Sequence, residues 1–232
     1  MKRYVLAYLL ACSTIIPLLD QAPALVAAET GGVHAQAVLQ QANNHVEQQH
    51  HIFASRPEEC VNRLHEALIK AMKLGGEVPC SRRYAVLEPV IKDLFDFPLT
   101  SRLVLGRYWK GLDQEKRRKF VNAFATMSTA TYADRFREYS GEKFKTVDTI
   151  MIKKHRALVK TLLITSKGEE IPLDYSCVLS GNTWKIVTVT AKGVNDLAIK
   201  RAEYTNFLKD RSIDQLISFL EEQAQRCAGT QS

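Results

Sequence analysis

The 232-residue chain carries none of the compact signatures of catalysis. It has no nucleophile elbow, no HExxH, no P-loop and no dinucleotide-binding fingerprint. Its five cysteines include no CxxC, so redox and zinc-ribbon readings have no support. The densest apolar stretch away from the N-terminus is FDFPLTSRLVLGRYW, residues 95–109. It contains two arginines and a proline and is too short and too charged to span a membrane. Acidic residues are the scarcer charge, 25 against 32 basic, so the chain is formally +7.

What is present is the composition of an ordinary globular protein, 46% apolar and 25% charged. A basic balance suggests an anionic partner: nucleic acid, a membrane surface or an acidic ligand. The N-terminus narrows that choice. Lys2 and Arg3 precede an apolar run from Tyr4 to Leu19, and Val26-Ala27-Ala28 supplies the small residues of a cleavage site. Residues 1–28 therefore read as a secretory signal cleaved after Ala28. A lipobox at Leu9-Leu10-Ala11-Cys12 is a competing reading. It would leave the apolar run Thr14–Leu19 where a polar tether is expected. Pro17 and Asp20 interrupt the run and disfavour an uncleaved anchor.

Cleavage removes Lys2, Arg3 and Asp20, leaving 30 basic and 24 acidic residues, net +6. The expected compartment is the periplasm, where nucleic acid is not an expected partner. The charge then points to anionic lipid or an acidic protein, with a merely solvated basic surface as an equal alternative. Four cysteines survive: Cys60, Cys80, Cys177 and Cys227. An oxidising compartment permits disulfides, and three full pairings are open. Cys60 and Cys80, nearest in sequence and flanking one helix, are the favoured pair.

Residues 29–56 are polar and read as a weakly ordered leader. Its histidines, His34, His45, His50 and His51, match no defined metal site, and no metal is expected. From Pro57 the pattern becomes helical. Val61, Leu64, Leu68 and Met72 share a face, Pro57 suits a first turn, and Gly75-Gly76 closes the helix. A second helix is expected at about 82–95, with Pro89 implying a kink or a late start. A third runs from Pro98 to Gly106. Asp113 is an N-cap for the longest helix, about 114–138, whose stripe of Phe120, Val121, Phe124, Met127, Tyr132 and Phe136 is unusually broad.

After Gly141 the period changes to two. Strands are expected at about 143–153, 156–166, 170–180 and 183–191, with turns at Ser166-Lys167-Gly168 and Ser180-Gly181-Asn182. Such short connections make an antiparallel meander. Ile171, Leu173, Tyr175, Cys177 and Leu179 share one face, and Trp184 with Ile186 lies opposite Val187 and Val189. Helices at about 195–209 and 213–226 finish the chain. The expected class is α+β, with N- and C-terminal helices on one face of a curved, mostly antiparallel four-stranded sheet. Such a sheet can enclose an apolar cavity. Candidate chemistry is thin. His155 sits among cations in the Lys153–Arg156 turn, and Asp174 and Tyr175 point to opposite faces of a strand. No catalytic residue is expected.

Several short motifs, in order from about residue 80 to 225, carry a resemblance. They are Tyr84-x-x-Leu87-x-Pro89, Phe95-Asp96-Phe97, Gly106-x-x-Trp109, Phe120-x-x-x-Phe124, Thr131-Tyr132-Ala133 and Tyr139-x-Gly141-Glu142. Ile171-Pro172-Leu173-Asp174-Tyr175, Trp184-Lys185-Ile186 and Gly193-Val194 complete the set. Together they resemble the MlaC, or toluene-tolerance, family. Asp196 to Tyr204 is similar to the hopanoid-associated HpnM branch. The resemblance implies a nuclear-transport-factor-like fold and a single lipid-binding domain over 57–228. It also implies a non-enzymatic periplasmic carrier with no cofactor, only bound lipid as cargo. The implied partners are a phospholipid or hopanoid-type lipid, an inner-membrane ABC transporter complex and an outer-membrane lipoprotein, with transient membrane contact. Many relatives have Asp where Thr188 stands. The expected cavity lining is Phe95, Phe97, Leu99, Leu103, Phe120, Phe124, Met127, Tyr132, Phe136, Tyr175 and Trp184, with Arg102 and Arg107 on the rim. A cone-pocket enzyme and a cargo-free interaction protein are the rival readings.

Overall fold

The computed structural model describes residues 56–229. The expected signal segment, the expected leader up to residue 55 and its four histidines lie outside the described residues. Among the described residues, no helix is long and apolar enough to cross a membrane.

Four helices come first. Helix α1, Pro57–Met72, places proline in its first turn and buries Val61, Leu64, Leu68 and Met72. Helix α2 is Cys80–Leu94. Pro89 lies in its interior, yet the helix continues through it, so the late start does not occur. The carbonyl that Pro89 leaves unbonded belongs to Ala85, and both residues are exposed, so water can satisfy it. Helix α3, Phe97–Leu105, is capped by the Asp96 carboxylate, which accepts from Leu99 N–H at 2.9 Å. Gly106 follows with φ +53, a conformation that favours glycine, and starts a 3₁₀ turn, Gly106–Gly111. Asp113 then caps α4, Gln114–Arg135, as its sequence position predicts.

The meander follows as β1 Lys143–Lys153, β2 Arg156–Ile164, β3 Glu170–Ser180 and β4 Thr183–Ala191. A two-residue β5, Val194–Asn195, completes the antiparallel order β1-β2-β3-β4-β5. Two residues are too few to show a period, which is why the sequence reading stops at four strands. Helices α5, Asp196–Phe207, and α6, Ile213–Ala228, close the described chain. The Ser212–Gln215 capping box fixes the start of α6.

The helices cover one face of the sheet. Ala157, Val159, Thr161 and Leu163 of β2 are buried there, as are Ile171, Leu173, Tyr175 and Cys177 of β3. Leu179 is only half-buried. On β4 the simple alternation fails. The register slips between Ser176 and Cys177, which pair with Thr188 and Ile186 and leave Val187 as the extra residue. Ile186 and Val187 are therefore both buried, although they are neighbours in sequence.

Two long-range devices hold the helical layer. Buried Arg83 on α2 donates from Nε to the Ala133 carbonyl at 2.9 Å. Its Nη1 donates to Gly75 at 2.9 Å and Val78 at 3.0 Å, so one guanidinium joins α2, the end of α4 and the α1–α2 loop. The second device corrects the expected cysteine pairing. Cys80 is bonded to Cys227, joining the start of α2 to the end of α6, while Cys60 and Cys177 are free and buried. Cys60 instead faces the end of α2, its Sγ 3.7 Å from the Leu94 carbonyl. Burial pushes the Cys60 thiol up to about 12 and raises Cys177 as well. Cys80 and Cys227 are 147 residues apart, so reduction should destabilise the fold by up to about 5 kcal/mol in the chain-entropy account. Urea titrations with and without dithiothreitol measure this. Native, non-reduced protein should resist iodoacetamide at Cys60 and Cys177, and both should alkylate only after denaturation. A peptide map linking Cys60 to Cys80 would overturn the pairing.

Candidate functional site

The corner between α2 and α3 is stitched to β4. The Asp96 N–H donates to the Ile186 carbonyl at 2.9 Å, and Phe95 forms an isolated bridge with Ile186. Thr100 Oγ1 donates to Val187 O at 3.1 Å. These bonds set Phe95 and Phe97 against the sheet, where they meet rings from α4.

The result is one continuous chain of aromatic rings. Phe120 stacks on Phe124 with centroids 5.9 Å apart, and Phe124 meets the edge of Phe97 at 6.0 Å. Phe97 stacks on Phe95 at 5.7 Å, and Phe95 reaches Tyr132 at 5.9 Å. Tyr132 stacks on Phe136 at 5.9 Å, and Phe136 touches Phe144 of β1 at 6.3 Å. Phe144 lies flat on His65 of α1 at 4.0 Å, and His65 meets Tyr175 at 5.3 Å. Tyr204 of α5 closes the other end by edge contacts with Phe120 and Phe124, both at 6.1 Å. Offset and edge-to-face contacts of this kind add about 1 kcal/mol each beyond area burial.

Access differs along this chain, whose half-buried rings lie between two buried ends. Phe120, Phe124 and Phe97 are sealed. Phe95, Tyr132, Phe136 and Phe144 are only half-buried. Tyr132 nevertheless has its hydroxyl pushed above the usual phenol range, mainly by burial. Lys200 on α5, also half-buried, has its ammonium pushed down by the same cause. Asp196 acts electrostatically on Tyr132, Tyr175 and Lys200, so these groups lie near the start of α5. Asp196 is itself fixed by accepting from Thr188 Oγ1 and from Val189 N–H, the latter at 3.0 Å. Thr188 is thus the partner of an aspartate placed eight residues later.

Of the expected lining residues, Phe95, Phe97, Phe120, Phe124, Tyr132 and Phe136 form the chain directly, and Tyr175 joins it through His65. Leu99 and Leu103 are half-buried on α3. Met127 is buried and its sulfur lies 3.4 Å from Thr131 Oγ1. Trp184 is buried on β4 opposite Leu179. Arg102 and Arg107 are exposed. His65, Phe144 and Tyr204 were not singled out by sequence. None of them stands in an apolar stripe that a period marks. The open volumes of about 510 Å³ and 390 Å³ lie elsewhere, as grooves along α5 and α6.

One buried polar pair sits inside the chain. The Tyr175 hydroxyl and His65 Nε2 share a hydrogen bond of 3.0 Å. Burial pushes the His65 imidazole down to about 3 and the Tyr175 phenol well above its usual range. Both are neutral at pH 7, so neither is poised as a general acid or base there. Among the described residues, no group of three His, Cys, Asp or Glu side chains could hold a metal ion.

The MlaC family model matches residues 62–222, more than half the chain, and that stretch includes every ring named above. The chain belongs to the MlaC family. A curated member, the intermembrane phospholipid transport system binding protein MlaC of Haemophilus influenzae, is 26% identical over 125 residues. That match takes in 52% of this chain and 58% of the relative, so just over half of the relative's length is spanned. The phospholipid-binding protein from Ralstonia solanacearum, solved in complex with a phospholipid, superposes with a TM-score of 0.64 at 18% identity. The superposition covers 74% of this chain and 98% of that one, and it establishes the shared α+β fold.

The low imidazole value makes stability depend on pH. Unfolded His65 takes a proton near pH 6.5, whereas the folded one does not until about 3. Stability is therefore full above about pH 6.5 and is lost as pH falls toward 3. Between pH 7.5 and 5.0 this residue should remove roughly 2 kcal/mol, and His65→Gln should flatten that part of the profile. Urea unfolding at the two pH values checks this, and identical slopes in both proteins would refute it.

Proposed function

We propose that the chain is a soluble periplasmic carrier that buries the acyl chains of a phospholipid between its helices and its sheet. It shuttles that lipid between an inner-membrane ABC-type transporter complex and an outer-membrane lipoprotein, and it is not an enzyme. The observation that carries this reading is the half-open run Phe95–Tyr132–Phe136–Phe144, an apolar wall at the edge of the core in an MlaC-family fold. Support also comes from the relatives, which are named for phospholipid transport and phospholipid binding.

The mechanism follows from the size of the apolar term. Each buried methylene contributes about 0.8 kcal/mol. Two tails of about fifteen methylenes amount to on the order of 20 kcal/mol, near the ceiling of non-covalent affinity. Release into water is then extremely slow, so cargo leaves when a partner docks and offers a continuous apolar path. The sealed rings Phe120, Phe124 and Phe97 act as the floor, and the half-buried rings as the wall that moves. The headgroup protrudes, because the sequence has no glycine-rich loop to cradle a phosphate. A hopanoid-type lipid is the alternative cargo, to which the Asp196–Tyr204 segment points.

Native mass spectrometry and organic extraction of gently purified protein should find about one lipid per chain, and the extracted mass identifies it. Leu99→Trp and Leu103→Trp fill half-buried positions and should lower occupancy several-fold with unchanged circular dichroism. Lipid-free protein from repeated preparations, or full loading of both variants, would count against the reading. A convergent acid and base at a bound small molecule would favour the enzyme instead.

A further inference from the structure

We infer that the β1–β2 hairpin is a docking element for a bilayer surface bearing anionic headgroups. Past Thr146, β1 is exposed at every residue but Thr149. There it displays Val147, Ile150, Met151 and Ile152, which are 57%, 42%, 52% and 56% exposed. Four large apolar side chains on six consecutive positions of one edge strand make a patch, not scattered exposure. Ile150 sits opposite Leu158 and Met151 opposite buried Ala157, so the two point to opposite faces of the sheet. The patch wraps the strand edge and is not a groove on one side.

The charge beside it has one sign. The turn beyond Ile152 is Lys153-Lys154-His155-Arg156, and Lys143 and Lys145 lie earlier on β1. From 143 to 156 the only acidic residue is Asp148. Lys153, Lys154 and Arg156 are exposed and take part in none of the ion pairs found among the described residues. Apolar side chains at an edge, flanked by unpaired cations on long stems, are the chemistry of a strand resting in an anionic membrane interface. The apolar groups enter the acyl boundary and the cations reach phosphates.

An added protein strand fits less well. Pairing to an edge needs a regular backbone register. β1 breaks that register twice, between Thr146 and Asp148 and between Met151 and Lys153, and the extra residues are Val147 and Ile152. These bulges twist the edge, and both bulged residues, Val147 and Ile152, are exposed. A bilayer demands no register, so the bulges cost it nothing. The inference stands beside the carrier reading and does not rest on it, because vesicle binding reports the one and extracted lipid the other.

The test is flotation of the processed full-length protein with vesicles of phosphatidylcholine alone or with about 30% phosphatidylglycerol. Wild type should float with the anionic vesicles only, and high salt should weaken it. Each interfacial cation is worth about fivefold, so the triple change Lys153→Gln, Lys154→Gln, Arg156→Gln should weaken binding by about 100-fold. Met151→Ser with Ile152→Ser should also weaken it, with thermal unfolding and lipid load unchanged in both variants. Equal binding to neutral vesicles, or undiminished flotation of the triple variant, overturns the inference. So does unchanged flotation of both variants with loss of binding to a purified protein partner.

Discussion

A sheet covered on one face must have that face filled, and here the filling is a run of rings that touch end to end. The chain of contacts from Tyr204 through Phe120, Phe124, Phe97, Phe95, Tyr132, Phe136 and Phe144 to His65 and Tyr175 draws on four helices, the α2–α3 corner and two strands. Each element is placed by the ring it contributes. Helix α4 with its C-cap residue Phe136 supplies four of them, which explains a stripe too broad for packing against one neighbour. Rings also separate well along their faces, since each stacked or edge contact is worth only about 1 kcal/mol. A core built this way can be sealed at both ends of the run and part between them.

What must not move is held by polar and covalent ties. The Arg83 guanidinium bonds three carbonyls, and the Cys80–Cys227 bond closes the helical layer behind it. The bond from the Asp96 N–H to the Ile186 carbonyl and the Thr100–Val187 bond anchor the α2–α3 corner to β4. The His65–Tyr175 pair keeps a polar contact inside the sheet side of the core, satisfied at neutral pH and costly in acid. Against this frame α5 stands out. Asp196 fastens its first turn to β4, whereas beyond it Ile199, Arg201 and Ala202 face solvent. On the carrier reading, that helix and the half-open rings are the natural place for a lipid to enter.

Much of the fold was legible in the sequence because period and punctuation are local. Asp96 and Asp113 cap the helices they precede, and the change of period after Gly141 marks the sheet. The aromatic members at the α2–α3 corner and on α3 and α4 were readable as an apolar excess. Phe144, His65 and Tyr204 were not, because none of them belongs to a run of rings along its own element. The strand alternation misled at Val187, where a bulge on β4 turns a residue expected on the open face into a buried one.

By itself, the sequence determined the element order, the α+β class and the supply of rings, since these follow from residue types a few positions apart. Tertiary structure alone decided which cysteines bond, which rings touch and which stay half-open. Proximity in sequence favoured Cys60 with Cys80, but α2 and α6 pack so that Cys80 meets Cys227, 147 residues away. It also decided that the KKHR turn and the apolar edge behind it are exposed. The physical reason is common to all three. Contact and exposure depend on how layers stack, and no period along the chain records that.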